Sequence, residues 1–105
     1  MSRPAKIIID LAAIQANCRL AQTFAPYSKT VAVIKADAYG HGLLGVGLSA
    51  EKAGVDWLGV ALLEEAITLR THGVRIPILA WLVTPGSDFK SAVAHDIDVA
   101  VSSIA

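Results

Sequence analysis

Short apolar runs rich in β-branched residues alternate along this chain with stretches whose apolar positions return every three or four residues. The first pattern marks strands covered on both faces, the second amphipathic helices. Lys6 to Ile9 (K-I-I-I) reads as a short strand. Asp10 follows where an N-cap belongs, because its carboxylate can accept the free amides of a first helical turn. Leu11, Ile14, Cys18 and Ala21 keep helical spacing to about Phe24. Pro26 then ends the helix, and Tyr27-Ser28-Lys29 forms a polar turn. Val31 to Ala36 reads as a second strand. After a glycine-bearing turn, a helix runs from about Leu43 to Ala53 and Gly54 stops it. Its Val46, Gly47, Ala50 and Ala53 form a face of small residues able to approach a sheet closely. Trp57 to Leu62 is a third strand. Glu64 to Thr71 is helical, with two acids at its start and His72-Gly73 closing it. Ile76 to Val83 is a fourth strand, with Pro77 near its beginning, where a missing donor is tolerable. Thr84-Pro85-Gly86 turns the chain, Ser87 or Asp88 caps a helix to about His95, and Asp98 to Ser102 begins a fifth strand.

From Val31 onward strands and helices alternate, with strand centres roughly 20–27 residues apart, the size of a βα unit. This order predicts an α/β fold with a parallel sheet, either open or closed into a barrel. A (β/α)₈ barrel of the TIM type needs about 250 residues. A chain of 105 residues is therefore expected to be the first half of one, ending inside a unit.

Composition narrows the function classes. An apolar fraction of 54% with no net charge excludes disorder. Balanced charge provides no electrostatic attraction to nucleic acid or to an anionic membrane. No apolar stretch approaches the roughly 18 residues of a membrane span. Met1 to Lys6 leads into a strand-like run with no secretory-signal pattern, so a cytoplasmic protein is expected. Cys18 is the single cysteine, which rules out an internal disulfide and suggests no thiol metal site.

The stretch Val31 to Gly42, V-A-V-I-K-A-D-A-Y-G-H-G, concentrates the candidate chemistry. Side chains alternate along a strand, which would put Val31, Val33 and Lys35 on one face. Lys35 stands at the C-terminal end of that strand, where parallel α/β folds place their ligands. An ammonium group that loses hydration becomes available as a neutral amine, able to form a Schiff base with a carbonyl compound. A lysine snorkelling into solvent from a strand end fits the spacing equally well. Gly40-His41-Gly42-Leu43-Leu44-Gly45 also matches G-x-G-x-x-G, and Glu64 and Glu65 follow about 20 residues on, where a dinucleotide site places its ribose-binding acid. Against a dinucleotide stands the insert Lys35-Ala36-Asp37-Ala38-Tyr39, which occupies the place the pyrophosphate needs at the helix start.

A-V-I-K-A-D-A-Y-G-H-G resembles the pyridoxal-phosphate attachment motif of the alanine racemase family at every position. I-D-L-x-A-I-x-x-N (Ile9 to Asn17), L-G-V-A-L-L-E-E-A (Leu58 to Ala66) and P-I-L (Pro77 to Leu79) extend the likeness over essentially the whole chain. The resemblance implies that residues 1–105 are the N-terminal part of that family's cofactor-binding barrel, followed in the full enzyme by a mostly β domain. It implies pyridoxal 5'-phosphate as cofactor, alanine as substrate, a homodimer, and a supply of D-alanine for peptidoglycan precursors. Lys35 matches the lysine that carries the cofactor covalently and then serves as acid/base on one face of the substrate. Tyr39 matches the tyrosine that contacts the cofactor phosphate. Trp81 is similar in position to a residue lining the pyridoxal ring. His41 and the glycines are assigned to the turn. The family's second base, a tyrosine from the partner subunit, and the arginine facing the pyridine nitrogen are expected beyond Ala105, so this chain by itself would not complete the reaction. A pyridoxal-phosphate-binding or decarboxylating relative on the same barrel is the alternative.

The remaining polar residues are expected to be structural. Asp37 suits turn chemistry. His72 and His95 sit at helix C-termini, Cys18 belongs to an apolar helix face, and Arg70 and Arg75 are expected at the surface.

Overall fold

The computed structural model describes residues 5–101. Among them, β1 (Val31–Val33), β2 (Trp57–Val60), β3 (Ile78–Ala80) and β4 (Asp98–Val99) form one parallel sheet in the order β1-β2-β3-β4. Helices α1 (Leu11–Phe24), α3 (Leu43–Lys52), α4 (Leu63–Thr71) and α5 (Phe89–Ala94), with the short turn of helix α2 (Lys35–Gly40), connect and cover it. Sequential strands that pair in parallel, each joined to the next through a helix, are half of a (β/α)₈ barrel.

Local chemistry sets the helix limits. The Asp10 carboxylate accepts the Ala13 amide at 3.1 Å and starts α1. The Asp88 carboxylate accepts the Ser91 amide at 3.0 Å and starts α5. Glu65 accepts the Leu62 amide at 2.9 Å at the start of α4. Gly54 and Gly73, both at positive φ, lead the chain out of α3 and α4.

One face of the sheet is the core. Leu58, Val60, Ile78 and Ala80 are buried completely, together with Ala66 and Leu69 of α4. Burying a side chain of the size of Leu58 or Ile78 contributes about 1.5–3 kcal/mol. The small-residue face of α3 is what lets it approach: a Cβ on Gly47 would stand 2.6 Å from Leu69 Cδ2 and 3.3 Å from Ile34 Cδ1. The opposite face carries Val31 and Val33, which are exposed, and Gly59, Leu79 and Trp81.

Three expectations need correction. Lys6 to Ile9 is not a strand: Ile7 and Ile8 are 88% and 76% exposed. A β-branched run becomes a strand only with a ladder partner, and no described strand lies beside it. The strand expected from Val31 to Ala36 ends at Val33, with one further ladder bond from the Ile34 amide to the Gly59 carbonyl. Strand alternation therefore does not extend to Lys35, which opens a turn instead. Of the fifth strand expected from Asp98, only Asp98–Val99 lies in the sheet, and Ser102 falls outside the described residues.

Candidate functional site

Lys35, Tyr39 and Trp81 all lie at the C-terminal edge of the parallel sheet, on the loops that follow β1 and β3. The loop after β1 has an unusual backbone. Ala36, Asp37, Ala38 and Tyr39 run at φ 52° to 57° and ψ 37° to 53°, one turn of left-handed helix. For residues other than glycine this conformation costs roughly 1–2 kcal/mol each, so the turn persists only because its surroundings hold it.

Those holds are identifiable. The Ala38 amide donates to the Ile34 carbonyl at 2.9 Å, and the Ala38 side chain is buried. The Gly42 amide donates to the Asp37 carbonyl at 2.9 Å, and the Leu43 amide donates to Asp37 Oδ1 at 2.8 Å. His41 Nδ1 lies 3.1 Å from the Ala38 carbonyl and 3.2 Å from the Tyr39 carbonyl. Carbonyls only accept, so Nδ1 carries the proton in these bonds. Asp37 and His41 thus have the turn roles expected of them. Gly40 and Gly42, at φ 87° and 95°, return the chain to the start of α3.

Lys35 stands half-buried at the head of this turn, between the fully packed Ile34 and the left-handed residues. Tyr39, at the far end, is 60% exposed. Trp81 continues β3 by one ladder bond, from its amide to the Val60 carbonyl at 3.2 Å. Its indole is half-buried against the open face of the sheet, directly over Gly59. A Cβ at Gly59 would meet Trp81 Cζ3 at 2.6 Å and Val31 Cγ1 at 3.2 Å, so the missing side chain is what seats the ring. Sequence reasoning passed over Gly59. Its signal was a glycine inside an apolar strand, a mark of close approach by another group. A groove of about 480 Å³ opens one loop further on, lined by Leu62, Ile67, Leu82, Thr84 and Asp88 among others, and none of Lys35, Tyr39 and Trp81 borders it.

The dinucleotide alternative loses its binding point. A pyrophosphate at this turn would need the free amides at the start of α3, and the Leu43 amide is bonded to the Asp37 carboxylate, whose charge repels phosphate. Among the described residues no group of three or more His, Cys, Asp or Glu side chains could hold a metal ion. Burial pushes the Cys18 thiol up, against the opposing pull of Arg19, as suits a cysteine packed toward the core. Arg70 departs from the surface role expected of it. Its guanidinium donates to four backbone carbonyls, those of Val74, Ile76, His95 and Asp96, at 2.8 to 3.0 Å.

Relatives agree with this geometry. The family model for the alanine racemase N-terminal domain matches residues 9–105. The alanine racemase of Mycolicibacterium smegmatis is 50% identical over 99 residues, covering 94% of this chain and 25% of that protein. The crystal structure of alanine racemase from D-cycloserine-producing Streptomyces lavendulae superposes with a TM-score of 0.89 at 46% identity, over 91% of this chain and 25% of that one. Alanine racemase from Bacillus anthracis, solved with bound L-Ala-P, has a TM-score of 0.82 at 35% identity, over 92% and 27% of the two chains. The chain thus spans about a quarter of the length of the relatives it matches. A parallel half-barrel bearing a lysine at the end of its first strand, matched over nearly its whole length by these proteins, belongs to the alanine racemase N-terminal domain family.

Proposed function

We propose that this chain is the cofactor-holding part of a pyridoxal-phosphate-dependent alanine racemase, with Lys35 as the residue that carries the cofactor. The observation that supports it most is the half-buried Lys35 at the C-terminal sheet edge, its backbone fixed between Ile34 and a braced left-handed turn. The three side chains suit such a group. Lys35 offers a primary amine to an aldehyde, Tyr39 a phenol hydroxyl to a phosphate, and Trp81 a flat apolar face to an aromatic ring.

When bound, pyridoxal phosphate delocalises the negative charge left on Cα after the proton of the amino acid departs. The protein must supply the rest. Lys35 Nζ would hold the cofactor and, when free, could take or return the Cα proton on one face. The Tyr39 hydroxyl would donate to the phosphate. Trp81, seated on Gly59, would offer its flat apolar face to the ring. Racemisation needs a second proton carrier on the opposite face, and Lys35 supplies one face only. That group, and the partner of the pyridine nitrogen, come from outside residues 1–105, in keeping with a dimeric full-length enzyme in the cytoplasm that supplies D-alanine to peptidoglycan synthesis. No helix among the described residues is long and apolar enough to cross a membrane.

Covalent trapping tests the reading. The full-length protein carrying this chain is mixed with pyridoxal phosphate, reduced with borohydride and digested. A pyridoxyl mass confined to Lys35, absent in Lys35→Ala, is the expected result, and interconversion of D- and L-alanine by the same preparation would then identify the substrate. A tag spread over surface lysines, unchanged in Lys35→Ala, would refute it.

A further inference from the structure

Of the four residues in the left-handed turn, three have no intrinsic reason to be there. Ala36, Ala38 and Tyr39 carry an ordinary Cβ at φ 52° to 55°. Asp37, at φ 57°, is the one residue type in the turn that visits this region readily, because a short polar side chain can bond nearby backbone. It does so here from both ends. Its carbonyl accepts the Gly42 amide and its carboxylate accepts the Leu43 amide, the first residue of α3. Helix α3 is itself immobilised, with Val46, Gly47, Ser49 and Ala50 buried. Asp37 therefore moors the turn to a packed helix. Lys35 and Tyr39 sit at the two ends of that turn, on either side of Asp37.

We propose that Asp37 is a positioning residue for cofactor capture: by capping α3 it holds the left-handed turn that sets Lys35 and Tyr39 in a fixed relation. This rests on the reading of Lys35 and Tyr39 as cofactor-binding residues. Asp37 needs no contact with the cofactor. Its carboxylate is engaged with the Leu43 amide, and it acts through the backbone. If that bond is lost, only the Ala38–Ile34, Gly42–Asp37 and His41 bonds remain to offset the intrinsic cost of the left-handed conformation at Ala36 and Ala38. The ends of the turn then gain freedom that must be surrendered when the cofactor binds.

The experiment compares Asp37→Asn, Asp37→Ala and Asp37→Gly in the full-length protein. For each, the dissociation constant of pyridoxal phosphate is titrated on the apoprotein, and the thermal midpoint is measured without cofactor. Asp37→Ala is expected to weaken cofactor binding by about tenfold or more, the effect of losing one hydrogen bond to a charged group. Asp37→Asn keeps an acceptor oxygen and tolerates the left-handed region, and is expected within about twofold of the wild type. Asp37→Gly relieves the backbone but leaves the Leu43 amide without its partner, and is expected to bind weakly too. A merely structural residue would lower the thermal midpoint and leave the dissociation constant unchanged. Overturning results are Asp37→Ala and Asp37→Gly that both bind as the wild type does, or Asp37→Asn no better than Asp37→Ala. Should Asp37→Ala fail to fold, the asparagine and glycine variants decide between them. Borohydride trapping on the wild type separates the two hypotheses. Without a Lys35 tag there the cofactor reading itself fails, whereas a tagged wild type with an indifferent Asp37→Ala sinks only the positioning role.

Discussion

The two edges of the sheet are built differently. At the N-terminal edge, polar side chains tie each loop to its neighbour across long stretches of sequence. Asp56 accepts the Thr30 amide, 26 positions away, at 2.7 Å, and Gln22 reaches the Gly54 carbonyl, 32 away, at 2.8 Å. Glu51 accepts both the Arg75 and Ile76 amides, at 2.7 and 3.0 Å. Arg70 gathers the carbonyls of the α4–β3 and α5–β4 loops. At the C-terminal edge every side-chain bond stays within its own loop: Asp37 to Leu43, His41 to Ala38, Glu65 to Leu62, Ser87 to Thr84. One edge is cross-braced by side chains, while among the described residues the loops at the other are joined by backbone bonds such as that from the Leu82 amide to the Ala61 carbonyl at 2.8 Å. Loops whose side chains are not tied to their neighbours can carry ligand-binding groups without disturbing the sheet, the division of labour that parallel barrels use generally.

That contrast can be broken most directly at Arg70. Arg70→Ala orphans four carbonyls at once and is expected to cost about 2–4 kcal/mol in urea unfolding. Cofactor affinity of the remaining folded protein should stay unchanged. Lys35→Ala should do the reverse, shifting stability by no more than about 0.5 kcal/mol while abolishing cofactor trapping. If Arg70→Ala left stability intact, or Lys35→Ala unfolded the protein, the division between the edges would be lost.

A pair of glycines sharpens the same contrast between the two faces. Gly47→Ala places a methyl against the fully buried Leu69 and is expected to cost about 1–3 kcal/mol by overpacking. Gly59→Ala makes an equally close approach to Trp81, on the open face where the ring can swing aside. Its stability change is expected within about 1 kcal/mol, because a swung ring leaves no overpacked core. The effect should instead be a shift in indole fluorescence and weaker cofactor binding. Equal losses of stability in the two variants would show that the faces are packed alike.

The smallest effect concerns acid. The Ser91 hydroxyl and amide donate to the Asp88 carboxylate and hold its pKa below the ordinary value, favouring the charged form in the folded chain. A lowered folded-state pKa means stabilisation that is present above the unfolded value and lost as pH falls through the folded one. Fraying of α5 is therefore expected below about pH 4. Amide exchange over residues 89–94 would show it, and Asp88→Ala should remove the pH dependence.

Much was legible before any coordinates. Alternation of apolar runs and helical spacing specified a parallel α/β half-barrel, because both signals act within a few residues. Asp10 and Asp88 were readable as caps for the same reason, since a cap bonds three residues ahead. The small-residue face of α3 pointed to its close approach, and the lysine motif pointed to the C-terminal edge and to the family. Tertiary structure alone decided the rest. Lys6 to Ile9 has strand composition but gains no ladder partner among the described residues, and pairing is a property of two segments. The left-handed turn after Lys35 is held by bonds to Ile34, Gly42 and Leu43, so no propensity of Ala36 or Ala38 could announce it. Arg70 looked like a surface charge because two of its four carbonyl partners lie 25 and 26 positions along the chain. Short-range periodicity is written in the sequence; bonds that close only when distant loops meet are not.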